Sequence, residues 1–253
     1  MTQKIIAVVN QKGGVGKTTS TVNVAAQLAS KDKPVLLVDL DPQGNATSGL
    51  GIPKDSVGIS TYEVLCKGAA LHEAVLPTHT EGLFVLPANN NLAGAEVDLV
   101  QVQHREFQLQ QALKVASYEY ILIDCPPSLG LLTVNALAAA RTVLIPVQAE
   151  YYALEGLSQL LNTVQRVRGG INPSLELLGV FITMYDKRTS LSEQVLREIK
   201  QYFGDKLFKT LVPRNIRLAE APSYGQTIFE HDKWSKGARA YKNLAKEVAQ
   251  RCA

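Results

Sequence analysis

The stretch Ile5–Ala29, "IIAVVNQKGGVGKTTSTVNVAAQLA", decides the reading of the chain. An apolar, β-branched run over Lys4–Val9 predicts a strand, a glycine-rich turn follows, and Thr18–Ala29 predicts a helix. Within it, Gln11 to Thr18 nearly matches the phosphate-loop pattern G-x-x-x-x-G-K-[ST]. Gly16, Lys17 and Thr18 stand in place, whereas Gln11 replaces the first glycine and Lys12 is an additional lysine. A strand before and a helix after are the context such a loop requires. Backbone N–H groups of Gly13, Gly14, Val15 and Gly16 can then converge on phosphate oxygens at the positive end of the helix. Lys17 is expected to neutralise the β- and γ-phosphates and the Thr18 hydroxyl to ligate Mg²⁺. Thr19, the next helical residue, is expected to touch the α-phosphate.

Two acidic strand ends complete the expected site. Asp124 closes the apolar run "YILID" and is expected to hold Mg²⁺ through a water molecule. "VLLVDLDPQGNAT" carries Asp39 and Asp41, two apart and therefore on one side of an extended chain. Asp41, past the strand end, is favoured to orient or deprotonate an attacking water, with Asp39 in support; the choice between them stays open here. Lys12 would crowd a like charge if it shared the γ-phosphate with Lys17 within one chain. It is expected instead to reach the nucleotide of a second copy, since phosphoryl transfer gains from positive charge supplied in trans.

Working outward, continuously apolar runs predict further strands at Val35–Asp39, Leu83–Leu86, Tyr120–Asp124, Thr142–Val147, Leu177–Thr183 and Leu207–Val212. Helical patterns fall at Arg105–Ala116, Leu131–Ala140, Glu155–Val167, Ser192–Tyr202 and Ala238–Ala249. This alternation implies an α/β fold: a doubly wound, mostly parallel sheet with helices on both faces. Residues 42–80, rich in Gly, Pro and Ser, read as a loop-and-short-helix excursion, so a single domain over 1–253 is expected. With 253 residues, 46% of them hydrophobic, the chain can bury a large core. Cys66, Cys125 and Cys252 lack metal-ligand spacing and imply a reducing, cytoplasmic setting. No signal peptide is evident, and no apolar run approaches the roughly 20 residues of a membrane span. The net charge of +3 is unevenly spread. Residues 1–160 carry 10 basic against 14 acidic residues (−4), and residues 161–253 carry 16 against 9 (+7).

Together "KGGVGKTT", "DLDPQGN" and "LIDCPPSLGLLTVNAL" resemble the deviant Walker A, Walker A′ and Walker B motifs of ParA/Soj-type chromosome partition ATPases. The resemblance continues through "PVQAEYYALEGLSQL", "TMYDKRTSLSEQV" and "VPRNIRLAEAPSYGQTI", and so spans nearly the whole chain. It implies a Mg²⁺-dependent ATPase that forms an ATP-sandwich homodimer, with Lys12 as the signature lysine. It also implies non-specific binding to double-stranded DNA on the nucleoid and a ParB-type centromere-binding partner that triggers hydrolysis. The family's DNA-contact arginines match Arg188 and Arg217, with Lys187 and Arg214 as neighbours, and its base contacts fall near Pro213 and Asn215. Arg197, Lys200, Lys242 and Lys246 are candidates to widen the basic patch.

The alternative is a MinD-like membrane-cycling ATPase, which would need an amphipathic C-terminal helix. Here "YKNLAKEVAQRCA" offers only Leu244, Ala245, Val248 and Cys252 after Tyr241, and is expected to pack on the domain rather than enter a membrane. Because the first strand starts by Lys4, no N-terminal helix-turn-helix module is expected. DNA contact should then be made to phosphates, which position a protein without specifying sequence.

Overall fold

The computed structural model describes residues 3–150 and 153–253, with backbone alone for 153–155. Among the described residues eight strands are formed: β1 (Lys4–Val8), β2 (Val35–Asp39), β3 (Leu76–Pro77), β4 (Leu83–Leu86), β5 (Tyr120–Asp124), β6 (Thr142–Gln148), β7 (Glu176–Tyr185) and β8 (Leu207–Pro213). They make one sheet in the order β3-β4-β2-β5-β1-β6-β7-β8, parallel throughout except for β3, which pairs antiparallel with β4 at the edge. The helices are α1 (Lys17–Leu28), α2 (Asn45–Gly49), α3 (Thr61–Cys66), α4 (Leu71–Ala74), α5 (Ala95–Asp98), α6 (Gln108–Leu113), α7 (Leu131–Ala139), α8 (Ala153–Gly170), α9 (Ser190–Phe203), α10 (Ile216–Glu220), α11 (Ile228–Asp232) and α12 (Lys236–Arg251).

Alternation along each central strand sends side chains to two cores. Ala7, Val9, Leu36, Val38, Ile121 and Ile123 join α3, α6, α7, α8 and α9 on one face. Ile6, Val8, Val35, Leu37, Tyr120 and Leu122 join α1 and α12 on the other. A strand covered on both faces needs apolar residues at every position, which is why these strands read as unbroken runs. The C-terminal helix packs as expected: Tyr241, Leu244, Ala245 and Val248 are buried, and α12 lies against α1 and β8. Its apolar face is therefore already used.

Two elements depart from expectation. The helix expected over Arg105–Ala116 is divided into a 3-10 turn, Arg105–Phe107, and α6. The cause is Asn135 on α7. Its amide donates to the Arg105 carbonyl at 2.8 Å and its oxygen accepts from the Leu109 N–H at 3.1 Å. Those are the two groups that an unbroken α-helix would pair with each other. The second is β3, whose two residues are too few to give a periodic signal; Pro77 suits a sheet edge, where a missing N–H is tolerated. Apart from β3, the 42–80 excursion is loop and short helices as expected, with α3 opened by a Ser60–Glu63 capping box. Of the stretch "AEYYALEG", Tyr151 and Tyr152 lie outside the described residues.

Candidate functional site

β1 lies between β5 and β6; the connection from β1 runs to β2 on one side, and that from β5 crosses to β6 on the other. The loop after β1 therefore sits at a topological switch point, where open α/β sheets bind ligands. Gly14 (φ 74°) and Gly16 (φ 86°) occupy the left-handed region, and Gly16 precedes α1 with no side-chain cap. The first-turn N–H groups of α1 thus remain available to an anion. Gly13 and Gly14 are exposed while Val15 is buried.

Side chains from distant elements clamp this loop. The Thr183 hydroxyl on β7 donates to the Val15 carbonyl at 2.8 Å. The Asn10 amide donates to the Pro146 carbonyl at 2.7 Å, and its oxygen accepts from the Lys12 N–H at 2.9 Å. Gln11, standing where a glycine is usual, donates to the Gly156 carbonyl at 2.9 Å. Sequence reasoning passed over Asn10 and Thr183. The one signal for Asn10 is a polar residue directly after an apolar strand.

Lys17 is 6% exposed and its ammonium donates to the Lys12 carbonyl at 3.1 Å. Burial lowers its pKa, opposed by the nearby carboxylates of Asp124 and Asp41. Asp39 and Asp124 are register partners on β2 and β5, both fully buried. Burial raises the pKa of each, and the charge of Asp39 adds to the rise at Asp124. The two acids differ in how they are satisfied. Asp39 accepts from Thr47 N–H (2.8 Å), Thr47 hydroxyl (2.7 Å) and Asp41 N–H (3.3 Å), so it braces the loop into α2. Asp124 accepts from the Thr21 hydroxyl at 3.0 Å through Oδ1, while its Oδ2 is buried without a hydrogen-bond partner. Asp41, 6% exposed, accepts from the Gln43 N–H at 2.9 Å.

These residues fit a magnesium ion. An orphaned, buried carboxylate oxygen beside the Thr18 and Thr21 hydroxyls is a hard-oxygen donor set that a hard cation would complete.

Lys12 points elsewhere. Its ammonium pairs with Glu150 at 2.8 Å, just past β6, and the two side chains are 41% and 46% exposed. An exposed pair of this kind contributes about 0–1 kcal/mol, so it can be given up readily. Pro213 and Asn215 line a cavity with Gly16, Thr19, Thr183 and Met184, beside the loop. Met184 holds φ 52°, an uncommon conformation for a side-chain-bearing residue. Asn215 is also the N-cap of α10, its oxygen accepting from the Arg217 N–H at 2.9 Å.

Arg188 and Arg217 stand on the surface, each held by carboxylates of the same chain. Arg188, 82% exposed, makes a two-pronged contact with Asp186 (Nε–Oδ1 2.9 Å, Nη2–Oδ2 2.7 Å). This pairing pulls the Asp186 carboxyl well below its ordinary range. Arg217 meets Glu220 at 2.9 Å and Asp232 at 3.7 Å. Lys187, Arg188, Arg214 and Lys236 line one trough, and Lys236 continues into a second with Lys209, Arg239 and Lys246. Among the described residues, no helix is long and apolar enough to cross a membrane.

A family model described as "AAA domain" matches residues 3–177. The chain is 57% identical over 248 residues to the sporulation initiation inhibitor protein Soj of Bacillus subtilis, covering 97% of this chain and 98% of that one. It is 52% identical to the chromosome partitioning protein ParA of Myxococcus xanthus, covering 98% and 88%. Among solved structures, cobyrinic acid a,c-diamide synthase of Mycobacterium smegmatis with bound ATP analogue and magnesium superposes with a TM-score of 0.85 at 39% identity, over 97% and 93% of the two chains. A plasmid partition protein of Borrelia burgdorferi bound to AMPPNP gives 0.85 at 26% identity, over 98% and 99%. With its glycine loop, paired acidic strand ends and additional lysine set on this sheet, the chain belongs to the ParA/Soj family of partition ATPases.

Proposed function

We propose that the chain is a Mg²⁺-dependent ATPase whose ATP-bound homodimer binds double-stranded DNA without sequence preference. A ParB-type centromere-binding partner would stimulate hydrolysis and release it. The protein would act in the cytoplasm on the nucleoid, as a single domain over 1–253, and would segregate a chromosomal or plasmid origin. The carrying observation is the unpartnered buried oxygen of Asp124 beneath a clamped phosphate loop, a cost that a cation would relieve. The solved relatives that hold an ATP analogue with magnesium, or AMPPNP, support the cofactor reading.

In this reading Thr18 and Asp124 hold the Mg²⁺, Asp124 through a water, and the ion neutralises phosphate charge when bound. The N–H groups of Gly13, Gly14, Val15 and Gly16, with Thr19, cradle the phosphates. Lys17 leaves the Lys12 carbonyl for the phosphates, exchanging a neutral acceptor for a charged one. Pro213 and Asn215 border the base. Asp41 orients the attacking water, because Asp39 already receives three hydrogen bonds. Lys12 leaves Glu150 and reaches the nucleotide of the second copy. Arg188 and Arg217 bind DNA phosphates, doubled by dimerisation, so that ATP gates DNA binding through avidity.

The test is light scattering and duplex binding with ATP, ADP and no nucleotide, for the parent and Gly13→Val. A Cβ at Gly13 meets nothing within 4 Å in the single chain, so the variant should bind ATP yet fail to dimerise. A dimer formed by Gly13→Val, or DNA binding equal in every nucleotide state, would overturn the proposal. ATP-dependent pelleting with liposomes would turn it toward membrane cycling.

A further inference from the structure

Trp234 is the chain's single tryptophan and is 81% exposed. Isolated surface apolar residues are ordinary; the setting of this one is not. It lies in the turn between α11 and α12. Its backbone N–H donates to Asp232 Oδ1 at 3.1 Å, and the other oxygen of Asp232 faces Arg217. The Lys233 ammonium sits over the indole, 5.3 Å from the ring centroid. Two residues on, Lys236 opens α12 and lines both basic troughs, one of them with Arg188 and Arg214. The indole is thus two residues from the carboxylate that steadies one proposed DNA-contact arginine, and two residues from a lysine sharing a trough with the other.

We propose that Trp234 contacts the DNA backbone directly, laying its ring on deoxyribose and offering its indole N–H to a phosphate oxygen. This rests on the reading of the basic face as a DNA surface. Charge complementarity selects DNA over a second copy, whose matching face carries the same basic troughs. Lys233 lies over the ring, Lys236 two residues on shares its troughs with Arg188, Arg214 and Arg239, and the carboxylates Glu220 and Asp232 are already engaged by Arg217. A backbone contact also suits a protein without a base-reading helix. Sugar and phosphate are the same at every step, so an aromatic there adds affinity and no sequence preference. Lys233 above the ring steadies it and is itself placed to meet a phosphate.

Having one tryptophan makes the test direct. The full chain is titrated with a mixed-sequence duplex in ATP and in ADP, following tryptophan emission alongside the anisotropy of labelled duplex. With ATP, emission should change in step with binding; with ADP it should not. Trp234→Ala, whose melting temperature should match the parent because the side chain is exposed, should bind about tenfold more weakly. The loss should be the same at every salt concentration, since an indole releases no counterion, whereas loss of a phosphate-neutralising cation should flatten the salt dependence. Trp234→Phe should recover part of the affinity. If the parent binds DNA while emission stays fixed and Trp234→Ala binds like the parent, the Trp234 contact is wrong and the DNA face survives. If emission changes on adding ATP without DNA, the residue belongs to a contact between copies. If the parent binds no duplex in ATP, the DNA reading fails and takes this inference with it.

Discussion

The phosphate-loop end and the basic face hold charge in opposite ways. At the loop, Lys17, Asp39, Asp41 and Asp124 are all buried, and the pKa values of Lys17, Asp39 and Asp124 are displaced by loss of water. On the basic face, Arg188 and Arg217 are at least half exposed, and what perturbs their surroundings is direct pairing with Asp186 and Glu220. Buried charges without water need a ligand or a complete set of hydrogen bonds, so this region is built for one geometry and one kind of occupant. Exposed pairs are screened and cheap to exchange, so a phosphate can replace a carboxylate with little reorganisation. A switch that must let go of DNA gains from the second arrangement, and an ATPase site from the first.

Asp41→Ala tests the buried side with the largest expected effect. Hydrolysis should fall by roughly 10²–10⁴-fold, the usual scale of a positioned acid–base group, while ATP still binds. The variant should accumulate as an ATP-bound dimer that stays on DNA, seen by scattering and anisotropy. Normal turnover would return the water-orienting role to Asp39.

Replacing Arg188 and Arg217 with Glu tests the exposed side. DNA binding should be lost with ATP-dependent dimerisation intact, and the parent's log K should fall by about 0.9 per phosphate neutralised for each unit of log salt. Dimer loss in the same variant would join the two regions that the comparison separates.

Asp124→Asn should separate stability from function at a single position. Because burial raises the folded-state pKa of Asp124, the folded chain keeps a proton that the unfolded chain releases above its ordinary carboxylate range. Stability of the nucleotide-free protein therefore declines as pH rises between the unfolded and folded pKa values. Asn removes that buried acid, so the nucleotide-free variant should melt higher near neutral pH, by on the order of 1 kcal/mol or more, and with a flatter pH profile. Its Mg²⁺-dependent ATP affinity should fall. A lower melting temperature together with unchanged Mg²⁺ dependence would remove Asp124 from the ion's shell.

The smallest effect on the single chain is expected at Lys12 and Glu150. Lys12→Ala should change monomer stability by no more than about 1 kcal/mol and spare monomer ATP binding, yet prevent ATP-dependent dimerisation. Equal loss of ATP affinity in Lys12→Ala and Lys17→Ala would place both lysines on one nucleotide.

Much of this was legible before any coordinates. The runs at 35–39, 83–86 and 120–124 match β2, β4 and β5 residue for residue, because a short strand covered on both faces is apolar along its length, with Asp39 and Asp124 closing β2 and β5. Asp39, Asp124 and the glycine loop were legible as well, since strand ends and turns demand particular residue types at fixed spacing. The split before α6 was not. It depends on one amide of Asn135, 26 and 30 residues away from the groups it takes. Asn215 was legible as a base neighbour, and the structure places it in the cavity lining and also as the N-cap of α10.

By itself the sequence determined the α/β alternation, the phosphate loop with its second lysine, the acidic strand ends and the excess of positive charge near the C-terminus. Each is a local pattern, set by side-chain periodicity, turn chemistry or composition over a few residues. Tertiary structure alone decided which charges are partnered. It set Asp124 Oδ2 without a partner, gave Asp39 to Thr47, tied Lys12 to Glu150 and the two arginines to Asp186, Glu220 and Asp232, and left Trp234 in water. Such choices depend on chain segments up to 138 residues apart meeting in space, and on how much water their meeting excludes. Neither separation in space nor loss of hydration is written in any local run of residues.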